Sequence, residues 1–104
     1  MSDSVDLQEI ADTLGFDLSD VEMLMNMFIE ASNESLVELK TAIDDNNFSA
    51  IAAAAHAIKG SAANLMITSV TNVAEVIETS GNNNTDINYT AKYEELKLLV
   101  NSLI

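Results

Sequence analysis

Apolar residues recur three and four positions apart through nearly all of this chain, and no proline breaks the pattern. A helix brings a side chain back to the same side about every 3.6 residues, so this spacing predicts helices with one apolar face each. Proline would have ended them by removing a backbone donor and crowding the preceding turn. Five segments can be marked, and no intervening stretch reads as a strand. Asp6 to Leu14 forms a short amphipathic helix, with Leu7, Ile10, Ala11 and Leu14 on one side, closed by Gly15. Ser19 begins a long second helix, with Glu22 completing a capping box. It carries Val21, Leu24, Met25, Phe28, Ala31, Leu39, Ala42 and Ile43, and the cluster Asp44-Asp45-Asn46-Asn47 stops it.

The third helix is expected from about Phe48 to Leu65. The fourth runs from about Ser69 to Ser80, with Gly81 suited to a left-handed residue just past its end. Gly81 to Asp86 reads as a polar turn. Asn88 to Leu103 is the last helix, with Tyr89, Tyr93, Leu96, Leu99 and Val100 as its apolar positions. Long amphipathic helices joined by short connections pack as antiparallel neighbours. The expected fold is therefore all-α: an antiparallel up-and-down four-helix bundle with a short extra N-terminal helix, one domain over residues 1–104.

Composition narrows the chemistry. The chain has no Cys and one His, which excludes disulfide scaffolds, thiol nucleophiles and zinc sites built on several imidazoles. Its 17 acids against 4 basic residues give a net charge of −13, unsuited to nucleic acid or to an anionic membrane surface. Met1-Ser2-Asp3-Ser4 lacks the start of a secretory signal, and no apolar run approaches the ~20 residues of a membrane span. A cytoplasmic protein is expected. The five Met residues, Met23, Met25 and Met27 among them, read as core filler.

The third helix holds most of the functional information. Ile51, Ala55, Ile58, Ala62 and Leu65 form one buried stripe, and His56 projects roughly 140° from its centre. The single histidine thus points away from the core. Around it the outer face is built of small residues, where a solvated helix would carry Lys and Glu. Gly60 sits mid-helix, at a cost of about 1 kcal/mol relative to Ala. No acid occurs between Asp45 and Glu75, although an even spread would place several there. Burial accounts for an acid-free core stripe but not for an acid-free outer face.

An imidazole that accepts a phosphoryl group would account for all three features. It must be exposed, approachable by another protein, and clear of carboxylates. A free imidazole, with an ordinary pKa of about 6.5, is largely neutral and nucleophilic at neutral pH. Lys59, one turn along, is either a solvated surface lysine or a cation placed to offset phosphoryl charge.

The run His56-Ala57-Ile58-Lys59-Gly60-Ser61 resembles the H-x-x-K-G signature of histidine phosphotransfer (HPt) domains, which ends in a small residue. The resemblance implies a four-helix bundle with the phosphorylated histidine on an exposed helical face. It implies that His56 is the phosphoacceptor through Nε2, that Lys59 stabilises phosphate, and that Gly60 and Ser61 leave room for a docked receiver domain. Glu78 stands 22 residues after His56, where the family often has a Glu or Gln bonded to Nδ1. Helical spacing alone equally allows a solvated Glu78. The docking face would comprise Ala52, Ala53, Gly60, Ser61, Ala63 and Asn64. Many members have Gly ten residues after the histidine; this chain has Met66.

The resemblance further implies a phosphocarrier and not a kinase: no Gly-rich phosphate loop is present, and the chain is too short to hold an ATP-binding domain. No cofactor of its own is expected, with Mg2+ bound on the receiver. The expected partners are receiver domains of response regulators or hybrid sensor kinases. The length and Met1 fit a free-standing carrier, and the exposed reactive face suggests a monomer. Two other readings stay open: an unphosphorylated adaptor bundle, and an enzyme using His56 as general acid–base.

Overall fold

The structure is a computed structural model and describes residues 6–103. Five helices follow one another: α1 (Leu7–Leu14), α2 (Leu18–Asp44), α3 (Phe48–Asn64), α4 (Thr68–Asn82) and α5 (Tyr89–Asn101). Among the described residues there is no strand. The 27 residues of α2, at about 1.5 Å each, account for nearly all of the 42 Å longest dimension. α2 packs on α3 and α5, α4 packs on α3 and α5, and α1 lies on α2. This closes a helical bundle around Met25, Leu39, Ile51, Ile58, Ile77 and Leu96, all fully buried. No helix among the described residues is long and apolar enough to cross a membrane.

Helix starts follow side-chain capping in three cases. Asp6, Asn47 and Asn88 accept bonds from the backbone N–H groups of Glu9, Ala50 and Ala91, satisfying donors left free in the first turn. Asn88 is thus a cap and not the first residue of α5. The expected capping box of Ser19 and Glu22 does not form. α2 starts one residue earlier, after Asp17, so Ser19 already lies in its first turn.

Helix ends correct the sequence reading at Gly81. That glycine is not the left-handed residue after α4; it is helical and buried within α4. The left-handed role falls to Asn84 (φ 54°), with Asn84 N–H donating to Gly81 O and Thr85 N–H to Ser80 O. The same double bond pattern closes α2 at Asn46 (φ 53°) and α3 at Met66 (φ 60°). Asn tolerates this conformation, whereas in Met the Cβ crowds the following carbonyl. Met66 therefore stands where the backbone favours glycine.

The stripe of Ile51, Ala55, Ile58, Ala62 and Leu65 is buried as expected. Ala52 and Ala54 are buried too, because α3 is covered from two sides, by α4 and by α2. Leu14 and Ala31 lie exposed, contrary to their place on the expected apolar faces. Of the methionines, Met25 fills the core; Met23 and Met27 are 56% and 60% exposed, Met66 is exposed as well, and Met1 lies outside the described residues. Met27 lies beside Leu14 and Phe16, which join α1 to α2.

Candidate functional site

The site is assembled one turn from a close contact between α3 and α4. A Cβ added to Gly81 would lie 3.0 Å from the carbonyl oxygen of Phe48 and 3.2 Å from the Cβ of Ala52. Two helices meeting through glycine and alanine bring their backbones together. One turn further along each, in opposite chain directions, stand His56 and Glu78. α3 and α4 are therefore antiparallel, with Ala52 beside Gly81 and His56 beside Glu78.

Glu78 joins two groups of α3. Its Oε2 lies 2.6 Å from His56 Nδ1, and its Oε1 lies 2.5 Å from Lys59 Nζ. The carboxylate side chain is only 13% exposed, while Lys59 is 30% and His56 67% exposed. The hydrogen bond from Lys59 holds the Glu78 carboxyl below the usual carboxylate range; burial opposes this, and the bond from His56 adds to it. The bond to Glu78 likewise raises Lys59 above its ordinary value, against burial and with help from the negative charges of Glu78 and Glu75. At neutral pH the pair is ionic. An ionised carboxylate can only accept, so Nδ1 must carry the ring proton, and the lone pair of Nε2 is left available on the exposed side of the ring.

The structure places Glu78 and Lys59 in contact with each other, and Glu78 in contact with the imidazole. Neither is a freely solvated side chain; each is held by the other beside the imidazole. Glu75, which acts on Lys59 through its charge, was not picked out from the sequence, although its place one turn before Glu78 is a helical signal.

The face around His56 is as small as its residues suggested. Ala53, Ala57, Gly60, Ser61, Ala63 and Asn64 are exposed, and a Cβ on Gly60 would meet nothing within 4 Å. Ala52 does not belong to this face. It is 5% exposed, lying under Gly81, and no partner can touch it.

Beyond Ser61 and Asn64 the surface opens into an apolar groove of about 540 Å³, walled by Phe16, Leu24, Met27 and Phe28. The sequence reading missed this groove because it assigned the methionines to the core. Among the described residues, no group of three or more His, Cys, Asp or Glu side chains is placed to hold a metal ion.

The model of one protein family, the Hpt domain, matches residues 23–103, which take in all of α3, α4 and the site. No curated protein and no solved structure matches the chain. Members of that family are phosphocarriers of phosphorelays and interact with receiver domains. With a match over most of its length and an all-helical bundle to go with it, the chain belongs to the Hpt domain family.

Proposed function

We propose that this chain relays a phosphoryl group between receiver domains, with His56 Nε2 as the accepting atom. The observation that carries this reading is the bond from His56 Nδ1 to the Glu78 carboxylate, on a side chain that otherwise faces outward. In the reaction the Nε2 lone pair attacks the phosphorus of a receiver aspartyl phosphate in line. The N–P bond forms, the P–O bond breaks, and its electron pair leaves on the aspartate. A second receiver aspartate reverses the step. Positioning and charge neutralisation supply most of such catalysis. Lys59 offsets negative charge on the phosphoryl oxygens, and Glu78 holds the ring. Mg2+ belongs to the receiver in this reading.

Docking uses Ala53, Gly60, Ser61, Ala63 and Asn64, continued by the apolar groove at Phe16 and Met27. The carrier acts as a single cytoplasmic domain and as a monomer, since a second copy on this face would cover His56. The test is transfer from a panel of phosphorylated receivers to the native chain and to His56→Gln. Acid-labile label on the native chain alone is the expected result. Receivers that bind without transferring label would replace the carrier by an adaptor.

A further inference from the structure

The residue touching the imidazole is a carboxylate, and this has a chemical consequence once the ring is phosphorylated. Attack by Nε2 leaves the phosphoryl group on that nitrogen and the original proton on Nδ1. The ring is then a cationic imidazolium, and breaking the N–P bond releases neutral imidazole. If Nδ1 lost its proton, the same cleavage would have to release an imidazolate anion, a far poorer leaving group. Whether the phosphohistidine is labile or inert therefore depends on one proton.

The surroundings of Nδ1 favour keeping it. Glu78 Oε2 lies 2.6 Å away, accepts only, and carries the opposite charge to an imidazolium. Its other oxygen is occupied by Lys59, and the side chain is largely covered, so water competes weakly for it. An amide at this position could turn its N–H toward a bare Nδ1 and would stabilise the neutral ring equally well. The other charged groups at this surface are Glu75 on α4, which acts on Lys59, and on the α2 side Glu38, which lines a hollow with Ala53, Ala54 and Ala57.

We infer that Glu78 retains the proton on Nδ1 for as long as His56 carries the phosphoryl group, so that the phosphohistidine stays in its transferable form and no proton enters or leaves the site in either direction of transfer. This rests on the reading of His56 as the acceptor. The chain is then built to pass phosphate on, not to store it, and Glu78 is a positioning residue that sets the lifetime of the intermediate.

The experiment uses the full chain, phosphorylated chemically with phosphoramidate so that no receiver is needed for loading. Loss of phosphate is followed between about pH 6 and about pH 8.5, spanning the range where imidazoles titrate, for the native chain and Glu78→Gln. The native lifetime should hardly change with pH. That of Glu78→Gln should lengthen as pH rises, reaching on the order of tenfold at about pH 8, the change expected on removing one adjacent charge. Nitrogen NMR of the ring should show Nδ1 protonated in the phosphorylated native chain at that pH.

Equal lifetimes in the two proteins, or a bare Nδ1 in the native phosphoprotein, would overturn the inference while leaving His56 as acceptor. The ring measurement on the native chain decides the matter even if Glu78→Gln fails to fold. A chain that takes label elsewhere, undiminished by His56→Gln, would overturn the functional reading as well.

Discussion

Gly60 and Gly81 both lie inside helices, where glycine weakens the backbone, and they do so for opposite reasons. At Gly81 the neighbouring helix is the reason: the Phe48 carbonyl would sit 3.0 Å from any added Cβ. At Gly60 nothing in the chain stands within 4 Å of that position. One glycine is explained by the fold and the other is not. A helix that gives up about 1 kcal/mol without gaining contact inside its own molecule points outward for the explanation. In this protein the unexplained glycine lies next to Lys59 and one turn from His56. The contrast separates what holds the site together from what keeps it accessible.

The sharpest way to break this contrast is Gly60→Gln. Transfer from a receiver should fall on the order of a hundredfold, as misplacement by an ångström can do, while the thermal midpoint stays close to native. A normal transfer rate in the folded variant would remove Gly60 from the docking surface. Next in size, Gly81→Ala should destabilise the bundle by about 1–3 kcal/mol through overpacking, read by denaturant unfolding. It should also slow transfer, since spreading α3 from α4 withdraws Glu78 from the ring. Gly60→Ala should do the reverse for stability, adding up to about 1 kcal/mol in the same measurement. If both alanine variants shifted stability in the same direction, the two glycines would not differ as argued.

The smallest effect concerns pH. The folded value of Glu78 is lowered, so its stabilising contribution is present above the ordinary value of 4.5 and is lost as pH falls through the lower folded value. Lys59 is raised, so its contribution is present below 10.5 and is lost as pH climbs through the higher folded value. The stability gap between the native chain and Glu78→Gln should accordingly persist at neutral pH and close at both extremes. A gap unchanged in acid would mean that the carboxylate charge plays no part.

The helices were legible in the sequence because their apolar spacing is regular and proline is absent. His56 was legible as an outward residue because direction around one helix follows from spacing alone. What spacing cannot supply is which neighbour lies where. Ala52 is small enough for either side, and only the approach of α4 buries it. Gly81 carries the same lesson, since a glycine near the end of a helical pattern reads as a terminator until a second helix is seen against it. Glu78 was a candidate on family spacing, and the antiparallel register with α3 is what brings it to the ring. Met23 and Met27 were misplaced for a different reason: each stands two residues from buried Met25, about 160° round the helix at 3.6 residues per turn, so the spacing that buries Met25 turns them outward.

The short turn 65–67 that joins α3 to α4 has a consequence for how this protein can vary. His56, Lys59, Glu78 and the glycine–alanine contact that sets their spacing all belong to one helical hairpin. Closing so short a loop costs little chain entropy, and contacts this local form fast. The reactive geometry therefore depends least on the distant parts of the chain. Lengthening the 83–88 connection or redrawing α1 would alter overall stability and the groove offered to partners. The distance from ring nitrogen to carboxylate would remain, so partner choice and chemistry can be tuned on separate parts of the molecule.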